Sequence, residues 1–275
     1  MNTIYHFSGA GNDFVVIDGR EGDVSAFREV SRIQALCKEY KTDGLMILGS
    51  GEASVDFVME FYNPDGSGGM MCGNGGRCIV AFADYLGIRP GERFLHPGGA
   101  RNDKDAKVYL FRAPDGLHTG EILARPEEGL WEVRIKMIDV QGITPMMGGY
   151  FLNTGTRHFV KFVDDVEQVD IDTEGKALRW NLAFAPVGTN VNFVHVAPDG
   201  LHVRTFEKGV EGETLACGTG LTASAIAAYA AGVIPDADVR LRARQDWLSV
   251  NFTPGADEKF TDVYLTGPAR LVEIL

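Results

Sequence analysis

The chain has 275 residues, 45% of them hydrophobic, so it can bury a substantial core and is not a disordered segment. Its 38 acidic residues against 26 basic ones leave a net charge of −12, and no Lys/Arg cluster breaks that surplus; nucleic acid and anionic membranes are therefore not expected partners. Four cysteines are too few for a disulfide scaffold, and no run of about 18 apolar residues offers a membrane span.

The opening "MNTIYHFSGAGNDFVVID" lacks a basic region followed by an apolar core and a cleavage site. A secretory leader is not expected, and a reducing, cytoplasmic setting is. Strands are expected at 3–8, 13–18, 44–49 and 54–62. Between them, residues 25–40 read as a helix, with Phe27, Val30, Ile33, Leu36 and Cys37 at helical spacing. A polar, Gly-rich loop then leads to "MCGNGGRC" and a helix at 76–87 that is apolar nearly all round, which predicts burial. The stretch "APDGLHTGEILARPEEGLWEV" carries Pro, Gly and charge and reads as a linker. Strands follow at 131–138, 157–163, 190–196 and 200–207, then "ACGTG" and a second buried helix at 220–232. The last strands are expected at 239–243, 247–252 and 262–266, and the terminal "DVYLTGPARLVEIL" is expected to return to the first half.

Residues 57–88 laid over 202–233 align at an offset of 145. Val58, Phe61, Cys72, Gly73, Gly75, Ala83 and Gly87 fall on Val203, Phe206, Cys217, Gly218, Gly220, Ala228 and Gly232. Each window runs from an alternating strand through a polar loop to Cys-Gly-X-Gly, an apolar helix and a terminating Gly. "GNDFVVI" and "TDGLMIL" match "GTRHFVK" and "TNVNFVH" at nearly the same offset. Chance similarity between Gly-rich loops does not explain a common offset. The fold expected is α/β (α+β), with two halves from an internal duplication, each a barrel-like, mainly antiparallel sheet around a central helix. One half spans 1–130 plus 263–275 and carries Cys72; the other spans 131–262 and carries Cys217.

A helix start leaves four N–H groups without an internal partner and carries partial positive charge. A cysteine there has its thiolate stabilised, below the ordinary pKa of about 8.5. Neighbouring glycines let a carboxylate approach the backbone N–H groups. Two such ends serving one substrate would set a sulfur on either side of the carbon that bears the carboxylate. One thiolate would remove a proton and the other thiol return one to the opposite face, inverting a stereocentre. Cys37 and Cys78 sit within their helices and read as small buried apolar residues. A Cys-His-Asn hydrolase would leave the second cysteine idle. "GAGNDF" lacks the third Gly of a dinucleotide site, and "GNGGRC" lacks the Lys-Ser/Thr of a P-loop. No C-x-x-C occurs, and the Cys72 to Cys78 spacing does not suit zinc, so no metal is expected.

"GAGNDFVVID", "FYNPDGS", "MCGNGGRC", "GTNVNFV", "RTFEKGVEGETLACGTG" and "LTGPA" together resemble the diaminopimelate epimerases. These are cofactor-independent isomerases of lysine and peptidoglycan precursor biosynthesis. The resemblance covers essentially the whole chain. It implies Cys72 and Cys217 as the two bases, no cofactor, a small amino-acid substrate and a homodimer. It further implies substrate contacts at Asn12, Asn63, Gly73, Asn74, Thr156, Asn190, Glu207, Lys208, Gly218 and Thr219, with His158 and Glu207 tuning the cysteines. For Asn12 and Asn63 turn chemistry is the competing reading, and for His158 a satisfied core histidine. Three positions depart from the family pattern: Lys208 replaces an Arg, "GTRH" replaces "GNPH" so that Thr156 stands for Asn, and Gly44 stands where some members have Gln. Lys is a point charge where Arg is a planar fork. These departures keep open a racemase of the same fold acting on another amino acid, such as histidine; a non-catalytic amino-acid-binding relative is the reading from outside enzymology.

Overall fold

The computed structural model describes residues 2–52, 54–91 and 107–275. They form two compact units, residues 1–135 with 267–275, and residues 136–266.

The first unit opens with a hairpin, β1 (Ile4–Gly9) and β2 (Asn12–Asp18). The predicted helix at 25–40 divides. Ser25–Arg28 make a 3-10 turn, Glu29 is extended, and α1 runs Val30–Tyr40. Ile33, Leu36 and Cys37 are buried with Val15, Ile17, Leu45 and Ile47, while Val30 is half exposed. The helix ends where Lys41 turns left-handed (φ 54°) and its N–H bonds back to the Cys37 carbonyl. α1 is the crossover that brings β3 (Gly44–Ser50) parallel to β2. β4 (Phe57–Tyr62) pairs antiparallel to β3 and precedes α2 (Gly73–Tyr85).

The stretch expected as a linker is instead part of the sheet. β5 (Lys107–Ala113), β6 (Gly116–Glu127) and β7 (Leu130–Lys136) form an antiparallel meander there. β6 buries only Gly120 and Ile122, so its apolar signal is thin, and register shifts accompany Ala124 and Glu127 on either side of Pro126. Strand pairing uses the backbone, which charge and turn-formers on an exposed strand do not prevent. The second half of β16 (Phe260–Ile274) pairs with β7 on one side and β1 on the other. The order β1-β2-β3-β4-β5-β6-β7-β16 with β16 back on β1 is a closed eight-stranded barrel. α2 packs on β1, β2, β3 and β6 and is buried from Gly73 to Asp84.

The second unit repeats the plan. β8 (Ile143–Met146) and β9 (Gly149–Asn153) were not among the expected strands; they are short and precede β10 (Arg157–Phe162). A run of short helical turns, including α3 (Lys176–Arg179), leads to β11 (Asn190–Ala197), parallel to β10 as β3 is to β2. β12 (Gly200–Glu207) pairs with β11 and with the short β13 (Gly212–Thr214). α4 (Gly218–Ala230) then crosses to β14 (Asp238–Arg242), followed by β15 (Trp247–Pro254) and the first half of β16. Both buried helices begin immediately after their cysteines, a few residues ahead of the apolar runs at 76–87 and 220–232. No helix of the described residues is long and apolar enough to cross a membrane.

Candidate active site

In the first unit Cys72 is the N-cap of α2, extended (φ −102°, ψ 151°), and exposed. Its Sγ accepts the Gly75 N–H at 3.2 Å, so the sulfur takes one of the helix's orphan donors. A Cβ on Gly75 would itself stand 3.2 Å from that sulfur. Gly73 and Asn74 open α2, where the helix dipole places partial positive charge and favours an anion. Asn74 Nδ2 donates to Asn12 Oδ1, and Asn12 Nδ2 donates to Asp43 at 3.2 Å. Arg77, fully buried, orients Asn74 from behind: its Nη2 donates to Asn74 Oδ1 (2.9 Å), its Nη1 to the Gly73 carbonyl (3.3 Å) and its Nε to the Pro268 carbonyl (3.2 Å). Asn63 closes its own turn, donating to Ser67 Oγ at 3.0 Å. Gly44 is buried in β3, and a Cβ there would meet the Tyr62 carbonyl at 2.8 Å, so the backbone itself requires glycine at this point.

In the second unit Cys217 caps α4 and is buried. Its Sγ lies 3.5 Å from Thr219 Oγ1. Thr219 Oγ1 is 3.1 Å from Thr156 Oγ1 and 3.0 Å from His158 Nε2, and Thr156 Oγ1 is 2.9 Å from the same nitrogen. Asn190 Nδ2 donates to Thr156 Oγ1 (3.2 Å) and to the Arg157 carbonyl (3.0 Å), while its Oδ1 accepts the Lys208 N–H (2.8 Å). Thr156, His158, Asn190, Thr219 and Cys217 are thus one network, reached from β10, β11 and the start of α4. Glu207, at the end of β12, accepts the Thr214 hydroxyl at 3.0 Å. The Lys208 side chain is exposed. His158 has no solvent exposure, and burial pushes its pKa down to about 3, so the ring is neutral.

Three residues the sequence reading passed over support these groups: Arg77, Asn192 and Thr205. Asn192 Nδ2 sits 3.0 Å from His158 Nδ1, and Thr205 Oγ1 donates to Asn192 Oδ1 at 3.0 Å. The signal for Asn192 was present, because Asn190 and Asn192 are two apart on β11 and share a sheet face. Arg77 gave no signal beyond its place in "GNGGRC", where a charge on a buried helix reads as exposed. Cys37 and Cys78 are buried, and burial raises both thiols above their ordinary pKa, which keeps them protonated.

The sequence model for diaminopimelate epimerase matches residues 4–100 and 150–272. The chain belongs to the diaminopimelate epimerase family. Curated members similar to it include the diaminopimelate epimerase of Chlorobaculum tepidum, 39% identical with 96% of this chain and 97% of that protein covered. That of Aquifex aeolicus is also 39% identical, covering 96% and 93%. Among solved structures, a PhzF-family phenazine biosynthesis protein from Bacillus anthracis superposes with a TM-score of 0.73 at 13% identity, covering 100% of this chain and 98% of that one. A probable proline racemase from Agrobacterium radiobacter K84 gives 0.66 at 14% identity, covering 100% and 92%. At such identities these two likenesses speak for the fold, which is that of the diaminopimelate epimerase family and its racemase-like neighbours.

Proposed function

We infer that this protein is a pyridoxal-independent epimerase that interconverts LL- and meso-diaminopimelate, a step toward lysine and peptidoglycan precursors. The observation that carries the reading is the paired construction of the two units: each starts a buried helix on a cysteine followed by Gly-X-Gly. Family membership supplies the substrate. In the mechanism we favour, the thiolate of one cysteine takes the α-proton, and the electron pair left by the broken C–H bond is delocalised into the substrate carboxylate. The thiol of the other cysteine delivers its proton to the opposite face, so the two sulfurs exchange protonation states and the reverse reaction exchanges their roles. Backbone N–H groups at Gly73–Asn74 and Gly218–Thr219 would hold the carboxylate as charge moves onto it. Asn12, Asn63, Asn190 and Glu207 would contact the rest of the substrate, with Lys208 for the distal carboxylate. A homodimer in the cytoplasm is the setting the family resemblance implies.

The test is α-proton exchange in deuterated solvent, followed by NMR without added pyridoxal phosphate. LL-Diaminopimelate should gain deuterium and form the meso isomer, and Cys72→Ser and Cys217→Ser should each abolish the interconversion. The departures at Lys208 and Thr156 favour a second substrate for comparison, L-histidine. Exchange into histidine but not diaminopimelate sinks the substrate assignment; full epimerisation by either single mutant sinks the two-base mechanism.

A further inference from the structure

The carbonyl and N–H groups around the polar network of the second unit favour one arrangement of its protons. Two backbone groups orient the Asn190 amide: the Lys208 N–H donates to its Oδ1 and the Arg157 carbonyl accepts from its Nδ2. The Asn190 amino group therefore faces Thr156 Oγ1 at 3.2 Å, with His158 Nε2 farther off at 3.5 Å, and it donates to Thr156. The Phe159 carbonyl, 3.4 Å from Asn192 Nδ2, likewise turns the Asn192 amino group toward His158 Nδ1. A neutral imidazole that accepts at Nδ1 carries its hydrogen on Nε2. His158 Nε2–H then donates between the Thr156 and Thr219 hydroxyls. Thr156 Oγ1 faces donors from Asn190 and His158, so its own hydrogen goes to Thr219 Oγ1. Thr219 Oγ1 in turn faces donors from Thr156 and His158, and its hydrogen is left for the Cys217 sulfur.

We propose that Asn192 is a positioning residue for Cys217: together with Asn190 it commits a chain of donors, from His158 through the Thr156 and Thr219 hydroxyls, to point at the Cys217 sulfur. This rests on the reading that Cys217 is one of the two reacting groups. The neutral state of the buried imidazole is consistent with it, since a single N–H has a direction that a neighbour can set. His158 then acts on Cys217 as an oriented dipole, through Thr219. The two cysteines are stabilised differently: Cys72 accepts a backbone N–H of its own helix, whereas Cys217 has no such cap bond and takes a hydroxyl. Thr156 is the joint of the chain, accepting from two donors and passing one hydrogen on. The substitution of Thr for the family's usual Asn is thus part of how this chain is wired.

The experiment is the pH dependence of Cys217 modification by methyl methanethiosulfonate, followed peptide by peptide by mass spectrometry in the intact protein. It requires no turnover, so a failure of the epimerase assignment and a failure of the proposal are separate results. Hydrogen bonds to a thiolate lower its pKa, so Thr219→Val should raise the apparent pKa of Cys217 by about one unit, while Thr219→Ser keeps the wild-type value. Asn192→Leu should shift Cys217 in the same direction, and Asn192→Leu with Thr219→Val should shift it no further than Thr219→Val alone. Cys72 in the same samples should keep its profile. A wild-type Cys217 pKa in Thr219→Val overturns the proposal. So does a shift from Asn192→Leu that persists undiminished when the Thr219 hydroxyl is gone. If Asn192→Leu does not fold, the Thr219 Val and Ser pair decides the matter, because Thr219 is only partly buried.

Discussion

His158 is fully buried and Lys208 is exposed, and exposure decides how each is tested. The unfolded His158 ring takes up a proton near pH 6.5, but burial delays this to about 3 in the folded chain. Between those values the unfolded state binds more protons, so stability is full above pH 6.5 and falls as the pH drops. Glu60 and Glu213 are held low by Arg28 and Arg204 and also lose stability in acid, so the wild type must be compared with a variant. From pH 7 to pH 5, urea titrations should show the wild type losing about 2 kcal/mol more than His158→Gln; equal losses in the two proteins would contradict a neutral, buried ring. Lys208 is exposed, so its pairing with a distal carboxylate is screened by water. Lys208→Ala should raise KM for diaminopimelate roughly fivefold, about 1 kcal/mol, with kcat nearly unchanged, because the contact exists in ground and transition states alike. A fall in kcat with constant KM would place Lys208 nearer the chemistry.

At the scale of the element, α4 sets two effects against each other. Helix propensity says Gly220→Ala should stabilise by about 1 kcal/mol. A Cβ at 220 would however overlap Asn192 Oδ1 and stand 3.3 Å from the Cys217 sulfur. Asn192 cannot retreat without losing His158 and Thr205, so the clash wins and Gly220→Ala should destabilise by about 1–3 kcal/mol. The denaturation midpoint measures the sign, and a more stable Gly220→Ala would refute the close approach. The apolar runs of α2 and α4 are legible in the sequence because helical burial is written in side chains. β6 was not, because its place in the sheet rests on backbone pairing around two buried positions. The split between the turn at Ser25–Arg28 and α1 escaped for a related reason: Phe27 and Val30 keep helical spacing across an extended Glu29.

Over the whole molecule, β16 is the strand both units use. Residues 260–266 pair with β15, and residues 267–274 pair with β7 and β1. Ala269 on this second half is fully buried opposite Trp131. Ala269→Asp would place an unpaired charge inside the barrel and should destabilise the first unit by about 3–5 kcal/mol. Hydrogen exchange should then rise in β1 and β7 before β10 and β11; uniform exchange through both units would mean that they unfold as one.

Sequence alone determined the duplication, the two helix starts on cysteine and membership of an epimerase fold. The helix starts depend on residues close in the chain, where helix-end chemistry and the period of burial are local, and the duplication is legible because the same local pattern recurs at an offset of 145. It also marked Thr156, His158 and Asn190 through a family pattern, without saying what touches what. Tertiary structure decided the rest. Asn192 meets His158 across 34 residues because β10 and β11 lie in parallel register, which sets His158 beside Asn190. Barrel closure joins β1 to β16 from the two ends of the chain. Strand partners are chosen by which edges remain unpaired after the other strands have joined, and no local pattern records that choice.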